Sequence, residues 1–237
     1  MGTIHLIRHG QASFGKANYD KLSELGIEQS VQLGRHYAQA GVQFSKIACG
    51  EMLRHQETME HCLQGMAEVR DPNNAITPIL SKAFNEFDHE QVVARYQPEF
   101  ADKAALAAWL ARQTSPAAAF QSLFDQAMQR WLSGNHDDDY SESWLAFRAR
   151  TLAGFEALRE QSGASEHIAV FTSGGPISVI TQQLLGIPDQ HVLKLNYALI
   201  NASITRVFYN REHANLSSFN SYAHLETFGN HKLITYR

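Results

Sequence analysis

Apolar positions fall into short runs separated by stretches of helical period. Ile4, Leu6 and Ile7 in TIHLIRH, residues 3–9, predict a strand that ends at Arg8-His9-Gly10. Ser23–Gln39 carries Leu25, Ile27, Val31, Leu33 and Tyr37 on a rough helical face, with Ser23 as a start signal and Gly41 as the stop. FSKIACGEML, residues 44–53, predicts a strand at Lys46–Cys49. The chain then turns at Gly50 into a helix from Leu53 to about Leu63, with Arg54 in its first turn. ITPILSKAF (76–84) predicts a third strand and its exit, and HIAVFTSG (167–174) a fourth. A helix from Pro176 stops at Gly186, and ITRVFYN (204–210) and HKLITYR (231–237) read as the last two strands.

Residues 88–160 differ in character. They are rich in Ala, Gln, Leu and aromatics and poor in β-branched residues. Leu123, Phe124, Ala127, Met128, Trp131 and Leu132 share one helical face, and Trp144, Phe147, Thr151, Phe155 and Leu158 another. Breaks fall at Pro98, at Ser115-Pro116 and at residues 133–143. Tryptophans at helical spacing predict packing rather than a binding face. The order of elements predicts an α/β fold: a three-layer sandwich, its mostly parallel sheet flanked by helices. A single domain, 1–237, is expected, with 88–160 as a helical insertion or lid within it. Such sheets take ligands at the carboxyl ends of their strands. His9, Arg54, Glu86 and Ser173 all follow predicted strands, so they can converge from distant positions.

Composition narrows the partners. The net charge of −4 argues against nucleic acid or an anionic membrane as partner. No apolar run approaches the roughly 20 residues that span a bilayer. MGTIHLIRHG lacks the marks of a secretory leader, and Leu6 stands where a myristoylation signal needs Ser or Thr. Cys49 and Cys62 read as reduced thiols of a cytoplasmic protein. The 12 histidines form no metal-ligand motif, so neither metal nor other cofactor is expected. His36, His55 and His61 are expected on the polar faces of helices. HDDDYSE, residues 136–142, reads as a solvated loop.

Arg8-His9-Gly10 at a strand end is pointed chemistry. A neutral imidazole attacks phosphorus, and a guanidinium holds phosphoryl oxygens bidentately. Gly10 lets backbone approach the anion, and Arg54 opens a helix whose amides favour negative charge. IAVFTSGGPIS, residues 168–178, poses a harder question. Ser173 could be a nucleophile, part of a phosphate cradle, or a stand-in for another residue. The serine-hydrolase elbow G-x-S-x-G is incomplete, since position 171 is Phe, although Asp189 and His224 follow in the chain order of a triad.

RHGQASFG, LSELGIEQSVQLG and ACGEMLRHQETME, in this order and spacing, resemble the histidine phosphatase superfamily, in its phosphoglycerate-mutase-like branch. The likeness is close over 3–63 and moderate over 166–237. Gly50 stands where the family pattern has Ser. The resemblance implies that His9 is the phosphorylated nucleophile and that Arg8, Gly10, Arg54, Ser173 and Gly174 bind the phosphoryl group. It implies that Glu86 in AFNEFDHE protonates the leaving oxygen and then activates water, with Asp88 and His89 able to share the role. The last motif of the family normally ends in S-H-G or T-H-G; here Thr172-Ser173-Gly174 puts serine in place of the second histidine. Asn201 in LINASIT matches a recurrent asparagine and is read as structural. True mutases carry a Y-G-x-L-Q-G-L-N-K-like stretch after the acid, whereas this chain reads FDHEQVVARYQPEF. The implied function is a metal-independent phosphomonoesterase acting on a small phosphorylated metabolite or a phosphopeptide. The alternative is a catalytically decayed protein that binds a phospho-ligand.

Overall fold

The computed structural model describes residues 1–13, 20–69, 76–226 and 231–236. Phe14 and Gly15 of the first motif, and Arg237 of the last predicted strand, lie outside them. By contacts the chain divides into two compact units, Met1–Glu86 with Thr151–Arg237, and Phe87–Arg150.

The first unit holds a six-stranded sheet of order β3-β2-β4-β1-β5-β6. Its strands are β1 (Gly2–Arg8), β2 (Lys46–Cys49), β3 (Ile79–Leu80), β4 (His167–Thr172), β5 (Ile204–Tyr209) and β6 (Ala214–Ser221). β1 to β4 pair parallel, β5 is antiparallel to β1, and β6 is antiparallel to β5. The sheet is therefore mixed, with three of its five strand pairs parallel. Alternation along the strands sends side chains to opposite faces. Ile4, Leu6, Ile168, Val170 and Val207 pack with Ile177, Ile180, Phe155 and Leu158. Ile7, Ile47, Cys49, Ala169, Phe171 and Ile204 pack instead with Leu33, Tyr37, Met59 and Cys62. Phe155 and Leu158 thus belong to the core of the sheet unit, although the sequence puts them in the insertion. Cys49 and Cys62 are buried and free. Burial pushes the Cys49 thiol up to about 12.

Helices α1 (Glu24–Gln39) and α2 (Leu53–Val69) follow β1 and β2. Ser23 caps α1, its hydroxyl accepting from the Gly26 amide at 3.1 Å, a contact worth about 1 kcal/mol. The closing segment departs from expectation. Residues 231–236 form a single 3-10 turn, His231–Leu233, and no strand. Other partners satisfy that backbone: Gln29 Nε2 donates to the Leu233 carbonyl at 2.8 Å. The Thr235 carbonyl accepts from the Asn201 amide at 2.8 Å. β6, by contrast, is absent from the sequence reading. ANLSSFNS has little β-branched content and lies half-exposed at the sheet edge, so it shows no apolar alternation.

The second unit is helical. It contains α3 (His89–Tyr96), α4 (Lys103–Ala111), α5 (Pro116–Leu132) and the start of α6 (Trp144–Glu160). Its core is aromatic: Phe87, Trp131, Trp144 and Phe147 meet at ring separations of 4.8–6.0 Å. Trp131 and Trp144 are accordingly packing residues. Two further elements complete the first unit, α7 (Gly174–Leu185) and α8 (Val192–Ala198), with a short α9 at Ala223–Glu226.

Candidate active site

The ends of four strands meet in register. Beyond the strands proper, the ladder continues through Ser81 N to Cys49 O at 2.9 Å, Gly50 N to Phe171 O at 2.9 Å, and His9 N to Thr172 O at 2.9 Å. The residues that follow β3, β2, β4 and β1 are thereby laid side by side, at the carboxyl end of the parallel strands.

His9 is buried, and its Nδ1 lies 2.7 Å from the Gly10 carbonyl oxygen. A carbonyl only accepts, so Nδ1 carries the proton and Nε2 keeps its lone pair. Burial, then the charges of Arg54 and Arg8 and the neighbouring His55, holds this imidazole well below its ordinary pKa. The ring is neutral at pH 7 and one nitrogen is free to attack. The backbone beside it is tied on two sides. Asn201 Nδ2 donates to the His9 carbonyl at 3.1 Å, and the Ala202 amide does so at 3.2 Å. Asn201 in turn accepts from Thr235 Oγ1 at 2.9 Å. The asparagine read as structural is therefore a direct support of His9.

Arg8 is buried and donates from Nη1 to the Leu199 carbonyl. Arg54 sits in the first turn of α2, with its side chain 6% exposed, and bonds Asp20 Oδ1 at 2.6 Å. Asp20 Oδ2 also takes the Leu53 amide at 2.8 Å. Asp20, which the sequence reading passed over, thus occupies both the guanidinium and an amide of that helix N-terminus. Gly10 also has a packing role. Its amide donates to Thr58 Oγ1 at 3.0 Å, and Thr58 Oγ1 donates to the Arg54 carbonyl at 2.7 Å. A Cβ at Gly10 would lie 2.4 Å from the Gly26 carbonyl oxygen. The glycine is there because α1 packs against this turn, backbone to backbone.

Glu86 leaves the loop after β3, and its Oε2 accepts from the Gly175 amide at 3.1 Å. Asp88 is spent elsewhere: its Oδ1 caps α3 by accepting from the Gln91 amide at 2.9 Å. His89 is the first residue of that helix. Ser173 is fully buried and precedes α7, which begins at Gly174, two residues before the sequence places it. Gly174 accepts from Ser178 Oγ at 2.7 Å through its carbonyl.

Ser173 Oγ lies 2.6 Å from His55 Nε2. His55 was expected on a polar helix face; it is fully buried, its ring 5.8 Å from that of His9. Burial, with the charge of Arg54, holds it well below its ordinary pKa. His224, the other imidazole considered for Ser173, packs against His36 at 5.4 Å instead. Among the described residues no group of three or more metal-ligating side chains forms. No helix among them is long and apolar enough to cross a membrane.

The sequence model of the histidine phosphatase superfamily (branch 1) matches residues 4–222. Among solved structures, a phosphoglycerate mutase from Bacillus anthracis str. Sterne is similar at 17% identity, over 97% of this chain and 97% of that one, with a TM-score of 0.65. A phosphoserine phosphatase from Entamoeba histolytica, in complex with 3-phosphoglyceric acid, is 20% identical over 95% and 100% of the two chains, with a TM-score of 0.64. A mycobacterial glucosyl-3-phosphoglycerate phosphatase is 18% identical over 93% and 99%, with a TM-score of 0.60. A search among curated protein sequences finds no match.

Proposed function

Since the chain belongs to the histidine phosphatase superfamily (branch 1), we propose that it hydrolyses phosphomonoesters through a phosphohistidine at His9. The observation that carries this reading is the state of the His9 ring. Its Nδ1 proton is pinned on the Gly10 carbonyl at 2.7 Å, and burial, with the charges of Arg54 and Arg8, keeps the ring neutral. In the first step the Nε2 lone pair attacks phosphorus, the bond to the leaving oxygen breaks, and the Glu86 carboxyl gives that oxygen its proton. In the second step Glu86 takes a proton from water, the water oxygen attacks phosphorus, and the P–N bond breaks. Arg8 and Arg54 hold the phosphoryl oxygens, Arg54 exchanging Asp20 for the incoming anion. Gly174 and Ser173, at the start of α7, complete the cradle, with Ser173 standing where relatives carry a second histidine.

Water, rather than the bound product, is the favoured acceptor, because residues 87–100 lack the mutase-like stretch. A small phosphorylated metabolite is the favoured substrate class, in a cytoplasmic setting. The test is hydrolysis of an aryl phosphate with EDTA present. Wild type should turn over and His9→Ala should not. A wild type that binds phosphate yet never forms a phosphoenzyme would support the second reading, a decayed phospho-ligand binder, which Ser173 motivates.

A further inference from the structure

We propose that His55 and Ser173 act together as the donor that a single imidazole supplies in relatives, with His55 as the positioning residue. The proposal rests on the phosphohistidine reading of His9. Four observations on three separate segments carry it. His55 and Ser173 are both fully buried, and their polar atoms are 2.6 Å apart. The His55 ring stands 5.8 Å from that of His9. Its Nδ1 has no hydrogen-bond partner among the described residues. A Cβ at position 50 would lie 2.1 Å from that Nδ1 and 2.8 Å from the Phe84 carbonyl oxygen. Only glycine at 50 leaves room for the ring.

The tautomer follows from the unpartnered atom. With the proton on Nε2, His55 donates to Ser173 Oγ, Nδ1 stays an unpaired acceptor, and the Ser173 hydroxyl proton is left for a bound phosphoryl oxygen. With the proton on Nδ1, a buried N–H would stay unpaired even with a phosphoryl group in the site, which is the costlier arrangement. Nε2–H therefore donates, and the Ser173 hydroxyl uses a lone pair to receive it. Ser173 Oγ has no other hydrogen-bond partner among the described residues, and with Nε2–H donating to it, its own proton points away from His55. A phosphoryl oxygen on His9 is the acceptor we assign to it. His55 thus fixes the direction of a donor that would otherwise rotate freely. Position 50 without a side chain, position 55 with an imidazole and position 173 with a hydroxyl form one arrangement.

The test compares aryl-phosphate hydrolysis by wild type, Ser173→Ala, His55→Ala, the double alanine variant, His55→Gln, Ser173→His and Ser173→His/His55→Ala. Thermal melts are run on each. The two alanine variants and their double should lose kcat alike, by about ten- to 100-fold, as for one hydrogen bond to a charged group. KM should stay within about threefold, because the bond matters most when phosphoryl charge develops. His55→Gln, which can still donate to Ser173, should recover part of the loss. Ser173→His should be poor because two imidazoles compete for one space, and adding His55→Ala should restore activity to within about tenfold of wild type. Losses that add, or His55→Ala at wild-type kcat beside an impaired Ser173→Ala, would overturn the proposal. An inert wild type is a failure of the phosphohistidine reading, visible before any variant is made. Calorimetric titration with tungstate then decides the pair alone: a lower affinity in both single alanine variants supports it, and wild-type affinity in His55→Ala overturns it.

Discussion

β1 and β4 lie side by side and end together, His9 N on Thr172 O at 2.9 Å, yet they build their halves of the site differently. At β1 the chemistry is local. Arg8, His9 and Gly10 are consecutive, and the carbonyl that sets the His9 tautomer belongs to the next residue. At β4 the chemistry is distributed. What Ser173 can do is set by His55, 118 positions earlier, and His55 fits only because position 50 has no side chain. A local motif survives as a pattern of adjacent letters. A distributed one appears in sequence as unrelated residues and becomes a unit only in the fold.

The comparison can be broken at several points. The largest effect belongs to β1: His9→Ala should cut hydrolysis about 1,000-fold or more, since no other group takes the phosphoryl. Glu86→Gln should cost about 100- to 1,000-fold on alkyl phosphates and clearly less on aryl phosphates, whose leaving oxygens need less protonation. Steady-state rates on paired substrates read both. Gly50→Ala should press on the His55 ring and cost about 1–3 kcal/mol by overpacking, seen as a lower melting temperature. Adding His55→Ala to that variant should return part of the lost stability, the approach to the Phe84 carbonyl oxygen remaining. Asp20→Asn should raise phosphate or tungstate affinity a few-fold, because it removes the carboxylate that competes for Arg54, with the gain shrinking in high salt.

The buried histidines give a pH signature. His5 and His224 are lowered to about 3, chiefly by burial, and His9 and His55 are lowered well below their ordinary value in the same sense. Each is neutral when folded and titrates near 6.5 when unfolded. Below that value the unfolded chain binds more protons, so stability falls with pH, by up to ~1.4 kcal/mol per pH unit for each group. The fall begins near pH 6.5 and continues towards pH 3. Denaturant midpoints across that range check it, and His5→Phe should flatten the slope.

Much of the sheet unit was legible because its strands are apolar runs ending in polar, chemistry-bearing residues. That Arg8, His9 and Arg54 lie just beyond strand ends followed from position; their roles came with the resemblance. β6 was not, since an edge strand of Ala, Asn and Ser has no alternation to read. Residues 231–236 misled in the opposite way: Leu233 is buried against Ile200 and Leu225, and the backbone is held by hydrogen bonds from Gln29 and Asn201 rather than by a ladder. His55 was missed because helical spacing gives a face, not its neighbour. The signal that could have found it was Gly50 and Ser173, the two positions read as departures from the family pattern, with His55 five residues after the first.

The central claim is that phosphorus is carried on His9. Rapid mixing with an aryl phosphate, quenching without acid and mass analysis of the peptide containing His9 test it most directly. The account predicts a phosphoryl adduct on that peptide, formed and lost at rates consistent with turnover, and absent in His9→Ala. Turnover without any such adduct, or an adduct on another residue such as Ser173, would contradict it.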